Sequence, residues 1–292
     1  MGTRIALIIA TLAAAFATSG AEAADLLPPP PPIEAPPPGP CCGGGGGWYL
    51  RGDIGVGALQ MSDWRSTLQP YDETGQAFSG TLGSATKYVG DQGFAGGGVG
   101  YQFNSWFRAD LTGEYRTDTN YHAYIPNAYN NGTCASGTNC LFAVDSYNAN
   151  IGSTVFLANG YLDLCNCSGV TPFVGFGVGF AAHRFTGLTD IGLGASNGGY
   201  GVATDASPVE FAWAAMAGLG FNVTPNLKLE IGYRYLDMGR LSSNPIQCAN
   251  PQGCFLERHS FNLASNDVRL GFRYLIGGPV LAPIAGPIVS KY

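Results

Sequence analysis

Apolar and polar residues alternate with a period of two in several stretches of this chain, each of roughly ten residues. In the stretch FRADLTGEYR, residues 107–116, apolar or small side chains occupy the odd positions and charged or polar ones the even positions. This period is typical of a β-strand, because its side chains point alternately to opposite faces. One face of this strand therefore carries four ionic groups, Arg108, Asp110, Glu114 and Arg116, which must find water or partners.

Eight segments share this pattern and are long enough for tilted strands that cross a hydrocarbon layer: 48–58, 93–103, 106–116, 147–164, 170–183, 209–222, 227–236 and 266–275. Their connections alternate in length. Short turns lie at 104–105, 165–169 and 223–226, and segments of more than twenty residues lie at 59–92, 117–146, 184–208 and 238–265. This alternation favours an up-and-down barrel with short inner turns and long external loops. A soluble sandwich is the alternative, and it leaves the alternation unexplained.

The beginning of the chain predicts export. Arg4, an apolar run and the triplet Ala21-Glu22-Ala23 match a signal peptide that is cleaved near Ala23/Ala24. A membrane anchor is the alternative, but the apolar run is short for one. No later stretch of about 18 uncharged apolar residues follows. An exported chain with 46% hydrophobic and only 12% charged residues favours an all-β fold, an eight-stranded antiparallel transmembrane barrel.

The predicted organisation has four parts: a signal peptide at 1–23, a disordered Pro/Gly-rich periplasmic lead at 24–47, the barrel at 48–276, and a C-terminal extension at 277–292. Within the fourth predicted strand the alternation changes near Asn159, which predicts a bulge there. A net charge of −6 disfavours nucleic acid as a partner.

If the apolar faces contact lipid, the charged faces fill the interior. Near balance of charge is then expected, because an unpaired buried charge costs several kcal/mol. An eight-stranded barrel is only wide enough for side chains. The predicted interior network comprises seven cationic and six anionic residues: Arg51, Asp53, Arg108, Asp110, Glu114, Arg116, Glu210, Lys228, Glu230, Arg234, Asp267, Arg269 and Arg273.

The segments WYLRGDIGVG, FRADLTGEYR, TPFVGFGVG and NDVRLGFRYLIGG resemble small alphaproteobacterial outer-membrane β-barrel proteins, the opacity-like or porin-family surface antigen group. The resemblance covers about residues 48–277 and implies an outer-membrane barrel with exposed loops. It also implies a last strand read by the barrel assembly machinery, with Arg269, Gly271, Tyr274 and Ile276 as the signal. Members of this group are credited with envelope integrity, adhesion or haem capture. The chain departs from the group in its cysteines and its C-terminal extension.

The eight cysteines are expected to form disulfides, because export implies an oxidising compartment. The predicted topology places Cys134, Cys140, Cys248 and Cys254 outside, and it favours the local bridges Cys134–Cys140 and Cys248–Cys254. On the inner side, Cys41 and Cys42 are expected to pair with Cys165 and Cys167. A four-thiolate metal site is the alternative there.

The remaining candidate sites carry weaker signals, and no catalytic residue, metal or cofactor is predicted. His259 with Ser260 and Glu257 resembles a catalytic group, but sequence neighbours on a strand point to opposite faces. His122 and His183 are candidate haem ligands.

The favoured function is a non-enzymatic surface protein that contributes to envelope integrity or surface interaction. Its expected partners are outer-membrane lipid, the assembly machinery and a possible host or cell-surface ligand. The alternatives are a small porin-like diffusion channel, a haem-binding or adhesin barrel, and a lipid-modifying enzyme.

Overall fold

The structure, a computed structural model, describes residues 46–67, 81–82, 84–129, 141–164, 169–194, 199–248 and 256–276. The predicted signal peptide, nearly all of the lead, the C-terminal extension and every cysteine except Cys248 lie outside these residues. No helix in the described part is long and apolar enough to cross a membrane.

The described residues form twelve β-strands: β1 (Gly47–Ser66), β2 (Thr81–Leu82), β3 (Thr86–Val89), β4 (Gln92–Gln102), β5 (Phe107–Tyr129), β6 (Leu141–Asp163), β7 (Val170–Gly194), β8 (Tyr200–Ala203), β9 (Val209–Asn222), β10 (Leu227–Ser242), β11 (Ile246–Cys248) and β12 (His259–Leu275). Eight of them form an antiparallel ring in the order β1-β4-β5-β6-β7-β9-β10-β12, closed by pairing of β12 with β1. The short strands extend this sheet beside β5 and β7. The eight-stranded antiparallel barrel is the observed fold.

Six of the eight ring strands, all but β4 and β9, are longer than the sequence pattern predicts, and the extra length lies at the end opposite the short turns. We call this the outer end. β5 and β6 have 23 residues each and β7 has 25. Most of the segments 117–146 and 184–208, which were predicted as loops, is therefore strand. The hydrophobic pattern hid this extension because the apolar side chains of β5, β6 and β7 change from the outward to the inward face partway along the strand.

β7 shows the reversal clearly. Near its inner end Val174, Phe176, Val178 and Phe180 point outward and are exposed. Beyond them, Phe185 and Leu188 are buried in the interior. An outward apolar band is what a lipid-facing wall requires, and the apolar interior above it is what a sheet surrounded by water requires. We call the banded portion the membrane-spanning part.

The bulge predicted near Asn159 is absent from β6. Its register to β5 and β7 is continuous through Asn159, and the irregularity with β7 lies between Asn148 and Asn150. Side chains keep one parity throughout β6. The apparent slip arises because the inward residues change from polar Asn159 to apolar Ile151 and Tyr147 while the outward residues change the other way.

Above the membrane-spanning part the interior is an apolar core. Its largest buried side chains include Tyr121, Tyr147, Phe185 and Phe261, and Tyr121 stacks on Phe261 at a centroid distance of 5.4 Å. The barrel therefore has two interiors of different chemistry, ionic within the membrane-spanning part and apolar above it.

The barrel interior as the candidate functional site

The membrane-spanning interior is filled by a network of twelve ionised side chains, here called the ion network. Six are arginines and six are carboxylates, so the formal charge of the network is zero. Its members are Arg51, Asp53, Arg108, Asp110, Glu114, Arg116, Asp163, Glu230, Arg234, Asp267, Arg269 and Arg273. All but Asp163 belong to the predicted interior set.

The level nearest the short turns joins opposite walls of the barrel. Arg108 on β5 contacts Asp163 at 3.0 Å and Glu230 on β10 at 3.3 Å. Arg273 on β12 contacts the same two carboxylates, at 3.6 and 3.1 Å. The guanidinium of Arg108 also lies 4.0 Å from the ring centre of Tyr161. Stacking on the aromatic face accommodates a cation whose outer nitrogens make no hydrogen bond.

The middle level is centred on Arg51 of β1. Its guanidinium contacts Asp53 at 2.9 Å and Asp110 at 2.8 Å, and it donates a 2.7 Å hydrogen bond to the hydroxyl of Tyr161 on β6. Arg269 holds the other side of Asp53 at 2.7 Å. Asp53 is thus shared by two arginines, and Asp110 also accepts hydrogen bonds from Tyr49 and Asn159, which satisfies several lone pairs of each carboxylate and offsets the cost of burial.

The third level lies just below the apolar core. Arg234 on β10 contacts Glu114 on β5 at 2.8 Å and Asp267 at 2.6 Å. Arg116 contacts the same two carboxylates, at 2.9 and 2.8 Å. The ring of Phe94 lies about equally far from both guanidinium groups, at 5.0 and 5.1 Å. The ring packs over Gly55 of β1, so it covers both cations with an apolar face.

A glycine on β1 makes room for the third level. Gly57 faces the interior, and a Cβ atom there would collide with Arg116, Asp267 and Ser265. The glycines of these strands therefore leave space for long charged side chains that arrive from neighbouring strands.

Two predicted members lie outside the ion network. Glu210 and Lys228 are half-buried and form no ion pair among the described residues. Asp163, which the network does include, was absent from the predicted set. Asp163 lies at an odd position of β6, like the inward Asn159 and Tyr161. The alternation along this strand could therefore have identified it.

A second polar cluster lies in the apolar core above the membrane-spanning part. His259 Nε2 donates to Glu257 at 2.8 Å, Tyr147 donates to the same carboxylate at 2.6 Å, and Ser66 donates to it as well. Burial opposes ionisation of Glu257, but His259 and these hydrogen bonds hold the pKa of Glu257 below its usual value. The cluster attaches the segment before β12 to the barrel wall.

The geometry does not assemble the catalytic group that the sequence suggested. Ser260 faces outward and accepts a hydrogen bond from Arg240 at 3.0 Å, whereas His259 faces inward and accepts one from Tyr121 on Nδ1. Sequence reasoning missed a different pair, in which Ser153 lies 2.8 Å from Nδ1 of His183. Nε2 of His183 donates to the carbonyl of Met238, and both residues are buried, so this pair joins three strands.

The two candidate haem ligands are not brought together. His183 lies inside, whereas His122 lies on the outward face and donates to Asn148 at 2.5 Å. Within the described ranges no group of three or more His, Cys, Asp or Glu residues is placed to hold a metal ion. Cys248 is disulfide-bonded. Its partner lies outside the described residues, and the pairing with Cys254 stays a prediction.

Fold and interior together define a small membrane β-barrel whose lumen is filled by its own side chains. A family model described as "Outer membrane protein beta-barrel domain" matches residues 9–274. The chain belongs to this family and is located in the outer membrane.

Relatives and similar structures come from several bacteria. An uncharacterized protein of Brucella abortus (strain 2308) is 30% identical over 258 residues, which cover 78% of this chain and 84% of the relative. The outer membrane protein PagN of Salmonella typhimurium is 28% identical over 233 residues, with coverages of 77% and 88%. The crystal structure of OprG from Pseudomonas aeruginosa is 12% identical with a TM-score of 0.44, covering 81% of this chain and 99% of that one.

Proposed function

We propose that this protein is a non-conducting surface protein, anchored by a closed barrel that presents its outer end for envelope integrity or surface interaction. The observation that carries the proposal is a set of ion pairs that cross the lumen. Arg108–Glu230 and Arg234–Glu114 join β5 to β10, and Arg273–Asp163 joins β12 to β6. The strands of each pair are four positions apart in a ring of eight, so they lie on opposite walls.

These pairs block the lumen at more than one height, and the aromatic core above them adds a further barrier. A diffusion channel needs a continuous wetted path, which buried side chains that meet in the middle do not leave. Planar-bilayer recordings of the purified full chain test this point. We expect no stable conductance steps, and large stable steps would overturn the proposal.

Presentation of the outer end is tested separately. An epitope inserted between β5 and β6, within 131–139, should bind antibody on intact cells. The same epitope inserted in the short turn 223–226 should bind only after the outer membrane is permeabilised. Labelling of the short-turn insertion on intact cells would reverse the orientation and contradict the proposal.

We also propose that β12 carries the assembly signal. It is the last strand among the described residues, it closes the ring on β1, and its Tyr274 points outward. Replacing Tyr274 with Ser should reduce the amount of folded barrel in the outer membrane, measured by heat-modifiable gel mobility. The same replacement at Phe272, which is also outward on β12, is the control and should leave assembly largely intact.

A further inference from the structure

The outward face of the barrel changes character twice from the inner end to the outer end. Above the apolar band lies a ring segment of polar residues on β5, β6 and β7, here called the polar belt: Asp118, Asn120, Asn148, Asn150 and Arg184. In it Arg184 on β7 pairs with Asp118 on β5 at 3.0 Å, and both side chains are partly exposed. A polar belt with an exposed ion pair marks the end of the lipid-facing surface.

Beyond the polar belt, where an outward face in water should be polar, six large apolar or aromatic side chains are again exposed. We call them the flank patch. Each has between 41% and 61% of its surface accessible: Tyr88, Tyr124, Ile191, Leu193, Tyr200 and Val202. Ile191 follows Phe180 by eleven positions, which places it about 25 Å above the lipid-facing band for a tilted strand.

The flank patch is continuous across neighbouring strands. Ile191 on β7 is paired directly with Tyr200 on β8, and Thr189 with Val202. On the other side of β7, Ser146 of β6 is paired with Ile191 of β7 and also with Tyr124 of β5. A contiguous apolar patch of this kind on a wetted surface is characteristic of a protein contact site.

The outward positions of β8, of β6 between 144 and 150, and of β7 between 189 and 193 carry no Asp, Glu, Lys or Arg. Lys87, the one charged residue of β3, is exposed but pairs with the inward Ala123, and its ammonium lies 5.8 Å from the ring centre of Trp64. The described outward residues of β5 from 120 to 126 are Asn120, His122, Tyr124 and Pro126. Aromatic enrichment together with depletion of charge is the composition found at the cores of interfaces. The whole chain, by contrast, carries a net charge of −6, so two copies repel each other elsewhere.

From these observations we propose that the flank patch docks a second copy of this chain in the same membrane. The patch lies on the side wall, so its partner must stand beside the barrel and reach the same height above the lipid. A second copy meets both conditions, because the membrane holds it in the same orientation. A two-fold axis along the membrane normal brings the same uncharged patch of each copy face to face.

The test uses the full chain in lipid bilayers, with labelled and unlabelled copies mixed and association measured by energy transfer at several protein-to-lipid ratios. Wild type should associate. Ile191→Lys should weaken association at least tenfold, because two buried ammonium groups would face each other. Asn150→Lys, on the same face but in the polar belt, is the matched control and should associate like wild type. A heat-modifiable gel shift establishes that each variant is folded.

Three results would overturn the proposal: wild type that stays monomeric at all ratios, an Ile191→Lys variant that associates like wild type, or a control that loses association equally. A photo-crosslinking amino acid at position 200 in intact cells identifies the occupant. Crosslinks to a second copy support the proposal. Crosslinks only to lipopolysaccharide or to another protein would exclude the second copy as the occupant.

Discussion

Replacing Arg234 with Met provides the sharpest test of the dry, cross-lumen ion network. Arg234 neutralises Glu114 and Asp267 from distances of 2.8 and 2.6 Å, and all three side chains are at least nine-tenths buried. The methionine keeps apolar contact with Phe94 but leaves two carboxylates to share Arg116. Removal of one partner from a buried ion pair costs about 3–5 kcal/mol, because the remaining charge is uncompensated. We expect a loss of that size in the free energy of unfolding.

The measurement is reversible urea unfolding of protein refolded into lipid vesicles, followed by tryptophan fluorescence and extrapolated linearly to water. Arg184→Gln is the matched control, because Arg184 pairs with Asp118 at 3.0 Å with side chains 35% and 55% exposed. This control should lose less than about 1 kcal/mol. The double variant Arg234→Met/Glu114→Met restores charge balance and should recover most of the loss. The reasoning is refuted if the single variant loses no more unfolding free energy than the control, or if the double variant is no more stable than the single one. Either result would mean that water solvates the carboxylates of the network.

Two further predictions follow from the two-part barrel. A lipid-soluble paramagnetic reagent should increase the relaxation rate of spin labels at Leu229 and Ile231, but not that of a label at Glu230. Contact of the first two labels with a water-soluble reagent would refute the assigned faces. Burial and repulsion from Asp145 and Glu257 raise the pKa of Asp190, above the membrane-spanning part, to about 8. Because the unfolded value is about 3.9, stability should fall as pH rises from about 4 to 8. Asp190→Asn should flatten this fall and be the more stable protein at pH 8, and parallel pH profiles would contradict the assignment.

The membrane-spanning part could be predicted from sequence because lipid imposes one rule on every strand. With acyl chains outside, apolar residues such as Leu229 and Ile231 must point out, and Glu230 between them must point in. Eleven of the thirteen predicted interior charges join the ion network for that reason. Glu210 and Lys228 share the pattern but lie near strand ends, where a half-buried charge needs no ion-pair partner.

The outer end could not be predicted from the same rule. Residues such as Tyr121, Ile125 and Ile151 point inward there. On β6 the apolar side chains change from even to odd positions, whereas on β5 a bulge between Arg116 and Thr119 turns the odd positions from outward to inward. A single-pattern search reads this reversal as the end of a strand or as a slip in register. The cross-strand meeting of Arg234 with Glu114 was also beyond the sequence, because it depends on which strands lie opposite each other in the closed ring.

The reversal gives a physical criterion for where such a barrel leaves the membrane. Side-chain parity continues through the boundary on β6, whereas its neighbours each carry a bulge at this height, β5 between Arg116 and Thr119 and β7 opposite Asn148 and Asn150. Along β6 itself only the residue types change, from Phe156 outward and Asn159 inward to Asn148 outward and Tyr147 inward. At each height the interior and the surroundings have opposite polarity. The barrel encloses ions where lipid surrounds the wall, and it encloses an apolar core where water surrounds the wall. The flank patch departs from this rule on the water side, and that departure is what requires a partner.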